Sequence, residues 1–68
     1  MTIDKIKSNL PAYIFEYWTN LLELTDYQDA KERITQAANL LTFEIESNIS
    51  GLPEYSMYEL KLLKLLAS

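Results

Sequence analysis

The sequence predicts an all-α fold: a small helical bundle of three main helices plus a short N-terminal helix, in a single domain covering 1–68. Three observations lead there. Sixty-eight residues are enough for one domain and no more. Apolar residues recur at helical spacing through most of the chain. With one Gly and two Pro, only three points punctuate it: Asn9-Leu10-Pro11, Leu24-Thr25-Asp26 and Ser50-Gly51-Leu52-Pro53. The main helices fall around 11–24, 26–48 and 57–67, and the short connections favour antiparallel neighbours.

The first segment, 2–8, places Ile3, Ile6 and Leu10 at helical spacing, with Thr2 as its cap. Pro11 disfavours helical geometry at Leu10, so a break is expected there. The same proline suits the first turn of the next helix, where its missing N–H would be unpaired anyway. In that helix Tyr13, Ile14, Phe15, Tyr17, Trp18, Leu21, Leu22 and Leu24 cover about 200° of the wheel. One neighbouring helix needs less than that. Trp18, among Ile14, Leu21 and Leu22, is expected in the core.

The longest helix starts at Thr25 or Asp26, and Thr25 with Gln28 matches a capping box. Tyr27, Ala30, Ile34, Ala37, Ala38, Leu41, Ile45 and Ile49 form one stripe about 120° wide. Its two alanines allow close approach of another helix. Asp29 and Arg33, one turn apart, can pair. The helix should run to Asn48, with Gly51 just beyond its end. In the last segment, Ser56 and Glu59 fit a reciprocal capping box, and Tyr55 with Leu60 fits a hydrophobic staple.

Composition removes several classes of function. There is no Cys and no His, which excludes disulfide scaffolds, Cys/His zinc sites, Glu-x-x-His di-iron sites and triads built on His or Cys. No cofactor or metal is expected. One Gly cannot build a phosphate cradle. Glu16 and Glu23 share a helix face, whereas paired catalytic carboxylates must converge from separate elements in a cleft. No catalytic residue stands out, and the expectation is a protein that is not an enzyme. No run approaches the ~18 apolar residues of a membrane span, and the N-terminus lacks the apolar core of a secretory signal. A cytoplasmic setting is the default expectation.

The net charge is −4. It divides evenly: residues 1–34 carry four basic and six acidic groups, residues 35–68 two and four. No basic stripe is visible, which argues against nucleic acid as a partner. A nucleic-acid module would have to rely on Lys31, Arg33 or the Lys5/Lys7 pair. Ten acids are also sparse for an acidic mimic of DNA.

Two features point to a protein interface. In the final helix Leu60, Leu63 and Ala67 lie on one side, Leu62 and Leu66 on the next, and Leu65 with Tyr58 beyond. Lys61, Lys64 and Ser68 leave a polar strip only about 60–80° wide. Either this helix is gripped on several sides within its own bundle, or part of it is covered by a partner. A membrane-surface role is disfavoured by its two basic residues and acidic parent domain. On the longest helix, Leu40 and Phe43 lie opposite the main stripe; the alternative to an interface is that the first helix folds over them. The candidate interface residues are therefore Leu40, Phe43, Tyr58, Leu62, Leu65 and Leu66. The functional expectation is a non-enzymatic interaction or regulatory protein. A homodimer comes first, with both patches covered in one isologous contact. A small inhibitor or immunity-type protein, or a helical nucleic-acid-binding regulator, is the alternative.

Overall fold

The structure, a computed structural model, describes residues 2–68. Among them are four helices: α1 (Ile3–Ser8), α2 (Ala12–Leu24), α3 (Tyr27–Glu46) and α4 (Ser56–Ala67). The all-α bundle with a short leading helix is as expected. Its longest extent, 33 Å, is set by α3, whose 20 residues span about 30 Å at 1.5 Å each.

The helix starts follow from local chemistry. Thr2 caps α1, its Oγ1 accepting from the Lys5 N–H at 3.4 Å. Pro11 stands one position ahead of α2, and its carbonyl accepts from the Ile14 and Phe15 N–H groups. At α3 the cap is Asp26, whose carboxylate accepts from the Gln28 N–H at 3.2 Å. Thr25 instead closes α2, its N–H bonded to the Leu21 carbonyl.

The end of α3 comes two residues earlier than expected, and Asn48 rather than Gly51 is the reason. Asn48 has φ 52°, in the left-handed region. Its N–H bonds to the Ile45 carbonyl, and the Ile49 N–H reaches back to the Glu44 carbonyl. That pair of bonds is a Schellman motif with Asn at the position usually held by Gly. Gly51, at φ 91°, serves the following turn.

Helix α4 lies at the centre of the bundle. It packs against α1, α2 and α3, most extensively against α3. Ile34 and Ala38 of α3 join Leu60 and Leu63 of α4 in one buried cluster. On the other side of α4, Leu62 meets Ile6 and Leu10 in a second cluster. Trp18 and Leu66 touch both. The narrow polar strip of α4 thus has a largely internal explanation: three helices cover much of its apolar circumference, though Leu65 stays 45% exposed.

The capping box expected at Ser56 does not form. Ser56 is itself the first helical residue, and its hydroxyl donates to the Pro53 carbonyl at 2.8 Å. The Glu59 carboxylate accepts from the Trp18 indole N–H at 2.9 Å. A partly buried donor on another helix has taken the group that the local pattern assigned to the helix start. The two staple residues are drawn into different clusters. Tyr55 packs on the Ile6 cluster, whereas Leu60 belongs to the Ile34 cluster.

Candidate interaction surface

The six residues singled out in the sequence separate into three environments. Leu40 and Phe43 stay 60% and 63% exposed on the side of α3 turned away from α4. The first helix does not cover them, because Ile6 and Leu10 carry it onto Leu62 instead. Leu65 is 45% exposed. Tyr58 and Leu66 are half-buried. Leu62 is fully buried and can contact no partner in this fold. Its assignment to an interface is corrected: the sequence shows that α4 is apolar nearly all round, but not that α1 returns to cover this side.

Leu65 lines an open groove of about 420 Å³ with Ile6, Lys61 and Lys64, between α1 and α4. Leu40 and Phe43 face the opposite way from the stripe that packs on α4.

A further apolar stripe was not singled out from the sequence. Tyr13, Tyr17 and Leu24 fall on one side of α2 by helical spacing, and they are 66%, 61% and 85% exposed. None of the α2 residues is fully buried. The signal was the 200° apolar arc itself. The bundle takes up Ile14, Phe15, Trp18, Leu21 and Leu22 on one side. The remainder of the arc is left outside. Tyr17 is braced by Trp18, the rings edge-to-face at 4.9 Å. The Tyr13 phenol lies within hydrogen-bonding reach of Tyr55, and this contact is the main reason the Tyr55 phenol is raised above its ordinary value of 10.0.

The fold also redistributes charge. Helices α1 and α4, from opposite ends of the chain, carry Lys5, Lys7, Lys61 and Lys64 against Asp4 and Glu59. The rest of the chain holds two basic groups and eight acidic ones. The even division between sequence halves is therefore not the division in space. Some of the lysines are further placed by rings: Lys7 sits over Phe15 at 5.3 Å and Lys61 over Tyr58 at 5.6 Å.

Among the described residues, no group of three or more acidic side chains is arranged to hold a metal ion. Among the described residues, no helix is long and apolar enough to cross a membrane. No family model, curated protein or solved structure matches the chain.

Proposed function

We propose that this is a non-enzymatic interaction protein that docks an apolar helical face, with a homodimer through the outer side of α3 as its first form. The observation that carries the reading is the Leu40/Phe43 pair. The two side chains are one turn apart and about three-fifths exposed, on a helix whose other face is already packed. A single exposed Leu is ordinary on a protein surface; an adjacent Leu and Phe on an outer face are the kind of patch that marks an interaction site.

A two-fold contact suits this pair. Two α3 helices crossing at the patch would set Leu40 of one copy against Phe43 of the other, and the reverse. Gln36 and Ser47, near the pair by helical spacing, are uncharged, while Glu44 and Glu46, each one turn from a member of the pair, flank it. A regulator, an inhibitor or a small subunit could all use this surface. They would differ only in whether the second helix comes from a copy or from another protein.

The test is light scattering after size exclusion, over a range of protein concentrations, on the native chain and on Leu40→Glu with Phe43→Glu. The expected result is a dimer that persists on dilution and becomes a monomer in the double variant. Helical content should stay unchanged, because exposed positions tolerate substitution within about 0.5 kcal/mol. A native chain that is monomeric throughout, or a dimer that the double variant leaves intact, removes the dimer reading.

A further inference from the structure

We infer that α2 is a detachable cover: it opens as a unit while α3 and α4 stay packed, and its opening bares apolar faces of both core clusters. Three observations place the weak point of the fold there. The first is burial. The eight buried apolar residues lie in α1, α3 and α4 or at Leu10, and none lies in α2. Helix α2 meets the two clusters only through half-buried side chains, Ile14, Phe15, Trp18, Leu21 and Leu22. The most extensive helix contact in the bundle is that of α3 with α4, and its buried centre, Ile34, Ala38, Leu60 and Leu63, comes from those two helices alone.

The second is local support. Among the described residues, α2 is the helix with neither a side-chain cap at its start nor a charge matched to the helix dipole at either end. Ile14, Phe15, Tyr17, Trp18, Thr19 and Asn20 are of types that rank low in helix propensity, whereas α4 is built largely from Leu, Lys, Met and Glu. Off the bundle, 13 such residues are too few to stay helical in water. Release of α2 and its local unfolding are therefore one step.

The third is its place in the chain. Pro11 before it and Thr25 after it are both extended, with ψ 140° and 150°. Leu10 on one side is buried, and α3 begins two residues after the other. The segment between can leave and return while its anchors stay docked. Segments that open below the global transition share these traits, few buried apolar contacts and weak local structure. What keeps α2 closed is the packing of Trp18 on both clusters and its bond to Glu59. The inference does not rest on the α3 contact, which lies on the outer side of that helix.

The experiment is native-state amide hydrogen exchange of the full-length chain, followed by NMR over a series of low urea concentrations. The amides from Glu16 to Leu22 should be uniformly protected, at least about tenfold less than those of Ile34, Ala38, Leu62 and Leu63. Their protection should also depend less on urea, because the opening exposes less surface than global unfolding does. Glu32→Gly separates the two events. Glu32 is exposed on α3, more than two turns from Leu40, and α3 remains helical when α2 is open. The substitution should lower protection at Ile34, Ala38, Leu62 and Leu63 about threefold and leave α2 unchanged. Asn20→Gly, exposed on α2, should lower both sets alike, because α2 is lost in either event. Equal protection in α2 and the α3/α4 core, or a Glu32→Gly loss shared by α2, would make the bundle one cooperative unit and overturn the inference. Protection that falls steadily toward the ends of α2 would overturn it as well, since that is fraying. Loss of the dimer in Leu40→Glu with Phe43→Glu would leave the α2 pattern unchanged, so the two readings fail separately.

Discussion

The Trp18 indole N–H donates to the Glu59 carboxylate across 2.9 Å, joining the middle of α2 to the first turn of α4 over 41 residues of sequence. No α2 residue is fully buried, so this bond is part of what fixes α2 on the bundle, beside the packing of Trp18 on both core clusters. A hydrogen bond to a charged group contributes about 1.5–3 kcal/mol, and partial exposure puts this one at the lower end. Glu59→Ala is expected to destabilise the fold by about 1–2 kcal/mol, and Glu59→Gln by less, since the amide oxygen can still accept. Trp18→Phe removes the donor and part of the ring. A double-mutant cycle by urea denaturation should give a coupling of at least about 0.5 kcal/mol between the two positions. Additive costs would mean that the contact contributes nothing beyond the packing of each side chain.

The same pair shows where sequence reading reached its limit. The α3 stripe was legible because its period is clean, and Ala30, Ile34 and Ala38 are buried as the stripe requires. Leu40 and Phe43 were legible for the same reason, since opposite faces of one helix follow from spacing alone. What spacing cannot give is the neighbour. Glu59 fits a local capping box, yet its partner is Trp18 on another helix. Leu62 and Leu65 are three residues apart on one apolar helix, yet one is fully buried and the other half exposed. The difference is α1, whose Ile6 covers Leu62. The net positive charge of the packed α1/α4 pair was hidden likewise, because its two helices come from opposite ends of the chain.

Tyr13 and Tyr55 make the stability depend on alkaline pH. The Tyr55 phenol is held above 10.0, first by its hydrogen bond with Tyr13, then by burial, then by the charges of Tyr13 and Glu59. The folded state therefore keeps this proton longer than the unfolded chain does. The contribution is fully present below pH 10 and is lost as pH rises through the raised value of Tyr55. Urea midpoints measured between about pH 9 and pH 11 should fall for the native chain and fall less steeply for Tyr55→Phe. In Tyr13→Phe the largest cause is gone, and Tyr55 should ionise closer to 10.0, read from its phenolate absorbance. Identical alkaline slopes in the native chain and Tyr55→Phe would exclude this linkage.

Asn48 ends α3, and the cost of its conformation can be measured. A non-glycine residue at φ 52° is tolerated because Asn enters the left-handed region more readily than most side chains. The bonds from the Asn48 and Ile49 N–H groups to Ile45 and Glu44 depend on that conformation. Asn48→Gly relieves the Cβ strain in the folded state but adds freedom to the unfolded chain. The relief should dominate, giving a gain of up to about 1 kcal/mol. Asn48→Ala keeps the Cβ and loses the amide, and should cost about 1 kcal/mol. Gly51 provides the comparison. It also has positive φ, at 91°, but a Cβ built there meets no atom within 4 Å. Gly51→Ala should therefore destabilise through backbone strain alone, with no clash to relieve. If both Asn48 variants are neutral while Gly51→Ala is strongly destabilising, the stop signal of α3 lies at Gly51 after all. In that case the two bonds at Asn48 follow from the turn rather than define it.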